Sequence, residues 1–160
     1  MCGSKSSLWT AVLSVVLLAS IPSASVVTAF ASPGPPSKPT WMTSTDIKTT
    51  FGGKTIQGHY ASGTAFTETY HAEGGIDYVE RTRQFIGHWS LQGDAFCTIY
   101  RADGSGGCYR VSHLSENCYE FYFVARTEYD AANALTIPPS WTARAAVSDR
   151  TSTCDERPAV

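Results

Sequence analysis

FIGHWSLQGDAFCTIY, Phe85–Tyr100, is the stretch whose reading decides the fold. Phe85, Gly87, Trp89 and Leu91 recur at every second position, the period of a strand with one face buried. Gln92-Gly93-Asp94 is a compact turn, and Ala95 to Arg101 is a second aromatic and β-branched run. Two such runs joined by a short glycine turn predict an antiparallel hairpin. The pattern extends both ways. Upstream, Ile56, Gly58 and Tyr60 alternate with polar residues, and Ala61–Thr64 turns into Ala65–Ala72. Glu73-Gly74-Gly75 then turns into Ile76–Thr82. Downstream, Ala102–Gly107 turns into Cys108–His113, which pairs with Asn117–Arg126 across Leu114-Ser115-Glu116. About seven short strands at this spacing predict a mainly β fold: a small antiparallel meander closed as a barrel or folded as a sandwich. Closure hides the edge strands that would otherwise invite pairing with other chains.

A short N-terminal helix precedes the strands. Thr43 or Ser44 caps it, Asp46 suits its first turn, Ile47 and Phe51 share a face, and Gly52-Gly53 stops it. After Asp130 the periodicity fades. Ala131–Leu135 reads as a helical turn, Pro138-Pro139 break regular structure, and Trp141 is expected to pack back on the domain. Ala143–Val147 is a further short element, followed by an irregular C-terminal tail.

The N-terminus reads as an export signal. Lys5 precedes an apolar run from Leu8 to Ile21, and Ala29-Phe30-Ala31 is a small-residue cleavage site. The run is shorter than the roughly 20 residues a membrane span needs. The expected organisation is a signal peptide over 1–31, a Pro-rich leader over 32–42, a β-domain over 43–147 and a tail over 148–160. The leader holds Pro33, Pro35, Pro36 and Pro39. No integral span is expected once the signal is cleaved. With 12 Lys and Arg against 14 Asp and Glu, charge gives no case for a nucleic-acid partner.

Export gives the cysteines a meaning. Without Cys2, four remain: Cys97, Cys108, Cys118 and Cys154. An even number in a small exported domain predicts two disulfides, with three possible connectivities. Cys97 and Cys108 lie on consecutive predicted strands, which favours that bridge and leaves Cys118 to tie Cys154 in the tail. Zinc is the competing reading, but there is no Cys-x-x-Cys pair and no regular histidine spacing. No metal and no cofactor are expected.

Several of these segments also resemble a known group. Ile47–Phe51, Gly53-Lys54-Thr55-Ile56-Gln57-Gly58 and Phe66–Tyr70 with its acid Glu68 come first. Gly87-x-Trp89, Gly93-Asp94-x-x-Cys97-x-x-Tyr100 and Gly107-Cys108-Tyr109-Arg110-Val111 follow in order. Together they resemble a family of small exported Gram-negative bacterial domains of unknown function, over Thr43 to Phe123. The resemblance implies a periplasmic or secreted setting and a compact β-fold, and carries no reaction with it. Gly87-x-Trp89 is also similar to the lipocalin motif, which in that family lies near the first strand rather than in mid-chain.

Residues able to do chemistry are scattered. His59, His71, His88 and His113 have no local metal-ligand spacing, and no Gly-x-Ser-x-Gly run is present. Gly104–Gly107 leads to no helix and so lacks the context of a phosphate loop. Glu68, Glu73, Asp77 and Glu80 are near in sequence, but carboxylates on adjacent strands are expected on a solvated face. The aromatic set is more suggestive. Trp89, Tyr100, Tyr109 and Phe121 are the expected ligand contacts, at a barrel mouth or on an exposed sheet face. Both faces of Tyr119–Phe123 carry aromatics, so one face needs cover from the tail with Trp141, a ligand or a partner. The expectation is a noncatalytic, monomeric periplasmic or secreted protein that binds a small apolar ligand or an envelope protein. The alternatives are a periplasmic enzyme inhibitor presenting Asp103–Gly107, a small hydrolase using Glu68 or His71, and a stress-related structural protein.

Overall fold

A capping box starts the first helix, α1 (Ser44–Phe51): the Thr43 hydroxyl accepts from the Asp46 amide while the Asp46 carboxylate accepts from the Thr43 amide. The computed structural model describes residues 39–134 and 136–154. The signal peptide and most of the Pro-rich leader lie outside those residues. The strands are β1 (Thr40–Trp41), β2 (Thr55–Tyr60), β3 (Ala65–Tyr70), β4 (Gly75–Glu80) and β5 (Arg83–Gln92). They continue with β6 (Ala95–Tyr100), β7 (Gly106–Ser115), β8 (Cys118–Ala125), a short helix α2 (Glu128–Ala132), and β9 (Ala143–Val147).

From β2 to β8 each strand pairs antiparallel with the next, as the alternation predicts. In the deciding hairpin Gln92 lies opposite Ala95 and Gly87 opposite Tyr100. Gly93 turns the chain there in the left-handed region, at φ 57°. β9 then inserts between β8 and β2, so that Ala145 faces both Tyr119 and Gly58. The result is a closed eight-stranded antiparallel barrel, which resolves the choice between barrel and sandwich. Strand closure falls to Ala143–Val147, the stretch where the sequence signal was weakest.

Close backbone approach explains the glycines on the inner face. A Cβ on Gly87 would stand 2.0 Å from the Ile99 carbonyl oxygen, so only glycine fits where β5 lies against β6.

One end of the barrel is sealed by α1. Ile47 and Phe51 are fully buried, and the Phe51 ring meets Tyr70, Phe96, Tyr119 and Phe121 at centroid distances of 5.1–6.0 Å. The helix is fixed at both ends: the Ser44 amide donates to Asp94 in the β5–β6 turn, and the Gly53 amide to the Tyr70 carbonyl.

Outside the ring, part of the cover expected from the tail with Trp141 comes instead from the leader. Cys118, Glu120 and Tyr122 are buried on the outer face of β8. Trp41 packs edge-on against Tyr122, with centroids 5.1 Å apart. The leader therefore ends as an edge strand on β7, and Met42 enters the core ahead of the expected boundary at residue 43. The bridges are Cys97–Cys108 and Cys118–Cys154. The first joins β6 to β7 beneath Ala131 of α2, and the second ties the tail to the start of β8. The helical turn expected at Ala131–Leu135 starts earlier, because Thr127 caps it through the Asp130 amide; Leu135 lies outside the described residues.

Candidate functional site

Opposite α1, the strand ends Tyr60, Phe66, Tyr78, Phe85, Tyr100 and Tyr109 bring aromatic rings to the other half of the lumen. Tyr78 stacks on Tyr100 at 4.7 Å, and Tyr60 lies 4.8 Å from Phe66. Rim arginines cover the outermost rings: Arg83 lies over Phe85 at 5.2 Å and Arg126 over Phe123 at 5.4 Å.

Among these rings sits an acid. Phe66, Glu68 and Tyr70 share the inward face of β3, and Glu68 is only 6% exposed. Its two carboxyl oxygens accept one hydrogen bond each, from the phenols of Tyr70 and Tyr100. Glu68 forms no salt bridge among the described residues. Burial drives its carboxyl above the ordinary value of 4.5, and the two phenols only partly offset this. The phenols of Tyr70, Tyr100, Tyr60 and Tyr109 are likewise pushed up by burial, so they remain neutral donors. Nearer the rim the Tyr60 and Tyr78 hydroxyls meet at 3.1 Å, and Tyr78 donates to Glu80 at 2.6 Å.

A cavity of about 20 Å³ lies in the lumen against Glu68. Phe66, Tyr70, Thr98, Phe121 and Ala143 wall it on the buried side, together with half-buried Tyr60 and Tyr109. That space holds one water-sized group.

Stability should record this acid. The folded state holds the Glu68 proton more tightly than the unfolded chain, so folding stability falls as pH rises above about 4.5 and levels off once the folded carboxyl ionises. Asp46, Asp103 and Asp149, held low by hydrogen bonds to Thr43, Ser105 and Lys54, lose their contribution as pH falls below their ordinary 3.8. Their window is separate. Urea unfolding across this range should show the decline in the wild type and its loss in Glu68→Gln; parallel curves for the two proteins would refute the assignment.

The residues expected to bind ligand divide. Tyr109 and Phe121 line the cavity, and Tyr100 adjoins it through Glu68. Trp89 lies towards the helix end against Tyr70 and Phe96, with its indole nitrogen donating to the His71 carbonyl at 2.8 Å. The four nearby carboxylates also part company. Glu73 and Asp77 are exposed, Asp77 pairs with His71 at 2.8 Å, and Glu80 stands at the rim. Glu68 departs from the expected solvated face because its position in the alternation places it inside; an acid flanked at i±2 by Phe66 and Tyr70 was the available signal. The histidines are dispersed, and no group of three metal-ligating side chains converges among the described residues. His88 and Ser90 both bond Glu128 rather than each other, which is not the order of a nucleophile and its base.

Asn117 is a structural residue missed by sequence reasoning. Its amide donates to the carbonyls of Val147, Arg150 and Thr151 and accepts from the Val147 amide, clamping the tail to β8. A larger outer groove, about 580 Å³, runs past Thr40, Tyr122 and Trp141. Its lining holds the ion pair of buried Glu120 with half-buried Arg144, and Arg144 lies over Trp141 at 4.7 Å.

Fold and site together define a disulfide-stapled eight-stranded barrel with a helix-closed floor and a carboxyl buried among phenols. No protein-family model, curated protein or solved structure matches the chain. The two disulfides suggest an oxidising, extracytoplasmic environment. Among the described residues no helix is long and apolar enough to cross a membrane.

Proposed function

We propose that this chain is a noncatalytic periplasmic or secreted binding protein whose ligand site is the tyrosine-lined half of the barrel lumen. One observation carries the reading: the buried Glu68 carboxyl lines a small cavity in which Tyr60 and Tyr109 are the half-buried walls. An acid in an apolar core costs stability. A hydrophobic residue would fill the same space better, and a role in holding a ligand accounts for the acid. The cavity favours a narrow ligand with a polar end over the purely apolar small ligand expected from the aromatic residues, because Glu68 lines it and a larger molecule must first displace Tyr60 or Tyr109.

A fragment library observed by ligand NMR tests this. Ala143 lines the cavity, and Ala143→Val fills it with two methyl groups. Fragments should bind the wild type and bind Ala143→Val at least about tenfold more weakly, a difference of roughly 1.4 kcal/mol, with unchanged circular dichroism. Equal binding by both proteins would remove the lumen as the site.

A further inference from the structure

We propose that the ligand is a small primary alkylamine in its ammonium form, its head against Glu68 and its tail leading out between Tyr60 and Tyr109. The inference rests on the lumen being the binding site and names the chemistry that site would select.

Charge is the first argument. A carboxylate has about four acceptor positions, and the phenols of Tyr70 and Tyr100 occupy two. No cation among the described residues pairs with it, so an ionised Glu68 lacks the partner that a buried charge requires. An incoming ammonium supplies that charge and three donors. Shape is the second. A cavity of about 20 Å³ matches a single –NH₃⁺ group and excludes a trimethylammonium head. The walls are the third. Phe66, Phe121, Tyr60 and Tyr109 present ring carbon around the head, and aromatic faces attract cations. Arg83 and Arg126 already use the rim rings Phe85 and Phe123 in this way. At the rim, Glu80 adds a second carboxylate on the path inward. Beyond the exposed rim arginines Arg83 and Arg126, the charged groups on this route are the two acids.

Binding is coupled to a proton. Burial favours the protonated carboxyl in the free protein. Docking R–NH₃⁺ turns Glu68–COOH into Glu68–COO⁻ and sends one proton to solvent, so charge and protons balance. The groups facing Glu68 are the phenols of Tyr60, Tyr70, Tyr78, Tyr100 and Tyr109, all of which burial keeps neutral. The charges coupled to these phenols are Glu80 and Arg126, both at the rim. Affinity therefore rises with pH through the range in which Glu68 ionises.

Calorimetric titration of n-butylammonium, n-butanol and butyrate into the folded, disulfide-bonded protein tests this, in two buffers of different protonation enthalpy. Butylammonium should bind at least about tenfold tighter than either isostere, with net proton release, as a charge-assisted contact requires. Glu68→Gln should lose at least about tenfold in butylammonium affinity together with the proton release. Equal binding of the three probes, no binding of butylammonium, or an indifferent Glu68→Gln would overturn the proposal. The fragment screen separates these failures, because fragments lost on Ala143→Val would keep the lumen as the site and reject only the cation. If Glu68→Gln does not fold, the selectivity of the wild type among the three probes decides alone.

Discussion

Phe51→Ala is expected to lower the free energy of unfolding by about 3–5 kcal/mol, read from urea or guanidinium denaturation. Phe51 is fully buried, and its ring touches four others from three different strands. Truncation deletes those contacts and leaves a void at the barrel floor that surrounding strands, held by paired backbone, cannot close. Thr49, exposed on the same helix, is the control: Thr49→Ala should stay within about 0.5 kcal/mol. The comparison separates the plug from mere helix propensity. A loss under about 1 kcal/mol at Phe51, below the range for a buried aromatic, would mean that α1 does not close the barrel. Domains of this size have about 5–15 kcal/mol in all, so the predicted loss is a large fraction of the total.

The second large effect belongs to the tail. Cys118–Cys154 closes a loop of 36 residues, and chain-entropy arguments put its contribution at about 3–4 kcal/mol. Replacing both cysteines by serine should lower stability by that amount. The Asn117 clamp remains in the variant and holds Val147 and the carbonyls beyond it. The variant should therefore fold with a lower denaturation midpoint rather than lose β9. Reductant should destabilise the wild type further than the double replacement, because it also opens Cys97–Cys108. Indifference to reductant would contradict the disulfide framework and the oxidising environment it implies.

Much of the frame was legible because it rests on local rules. Period-two alternation marked the strands from Thr55 onward, Thr43 and Gly52 bounded α1, and cysteines on neighbouring strands indicated their own pairing. What escaped depends on distant contacts. Ala143–Val147 has the small residues a tight seam against Gly58 needs, and alanine carries no strand signal. Asn117 looks like any turn residue until the chain returns some thirty positions later to meet it. Trp89 and Tyr109 share the inward alternation, but only the barrel axis distinguishes floor from mouth. Glu68 was visible as an acid within an aromatic strand; its burial follows from closure, which no short window contains.

The most direct test of a carboxyl poised for a cationic ligand is the carbon-13 chemical shift of the Glu68 side-chain carboxyl. It is recorded at a pH where the free protein still shows the protonated carbon, with and without n-butylammonium. Saturation with the amine should move that carbon to the carboxylate position while n-butanol leaves it in place. A carbon already ionised at or below the ordinary 4.5 in the free protein, or one that does not respond to the amine, would contradict the account.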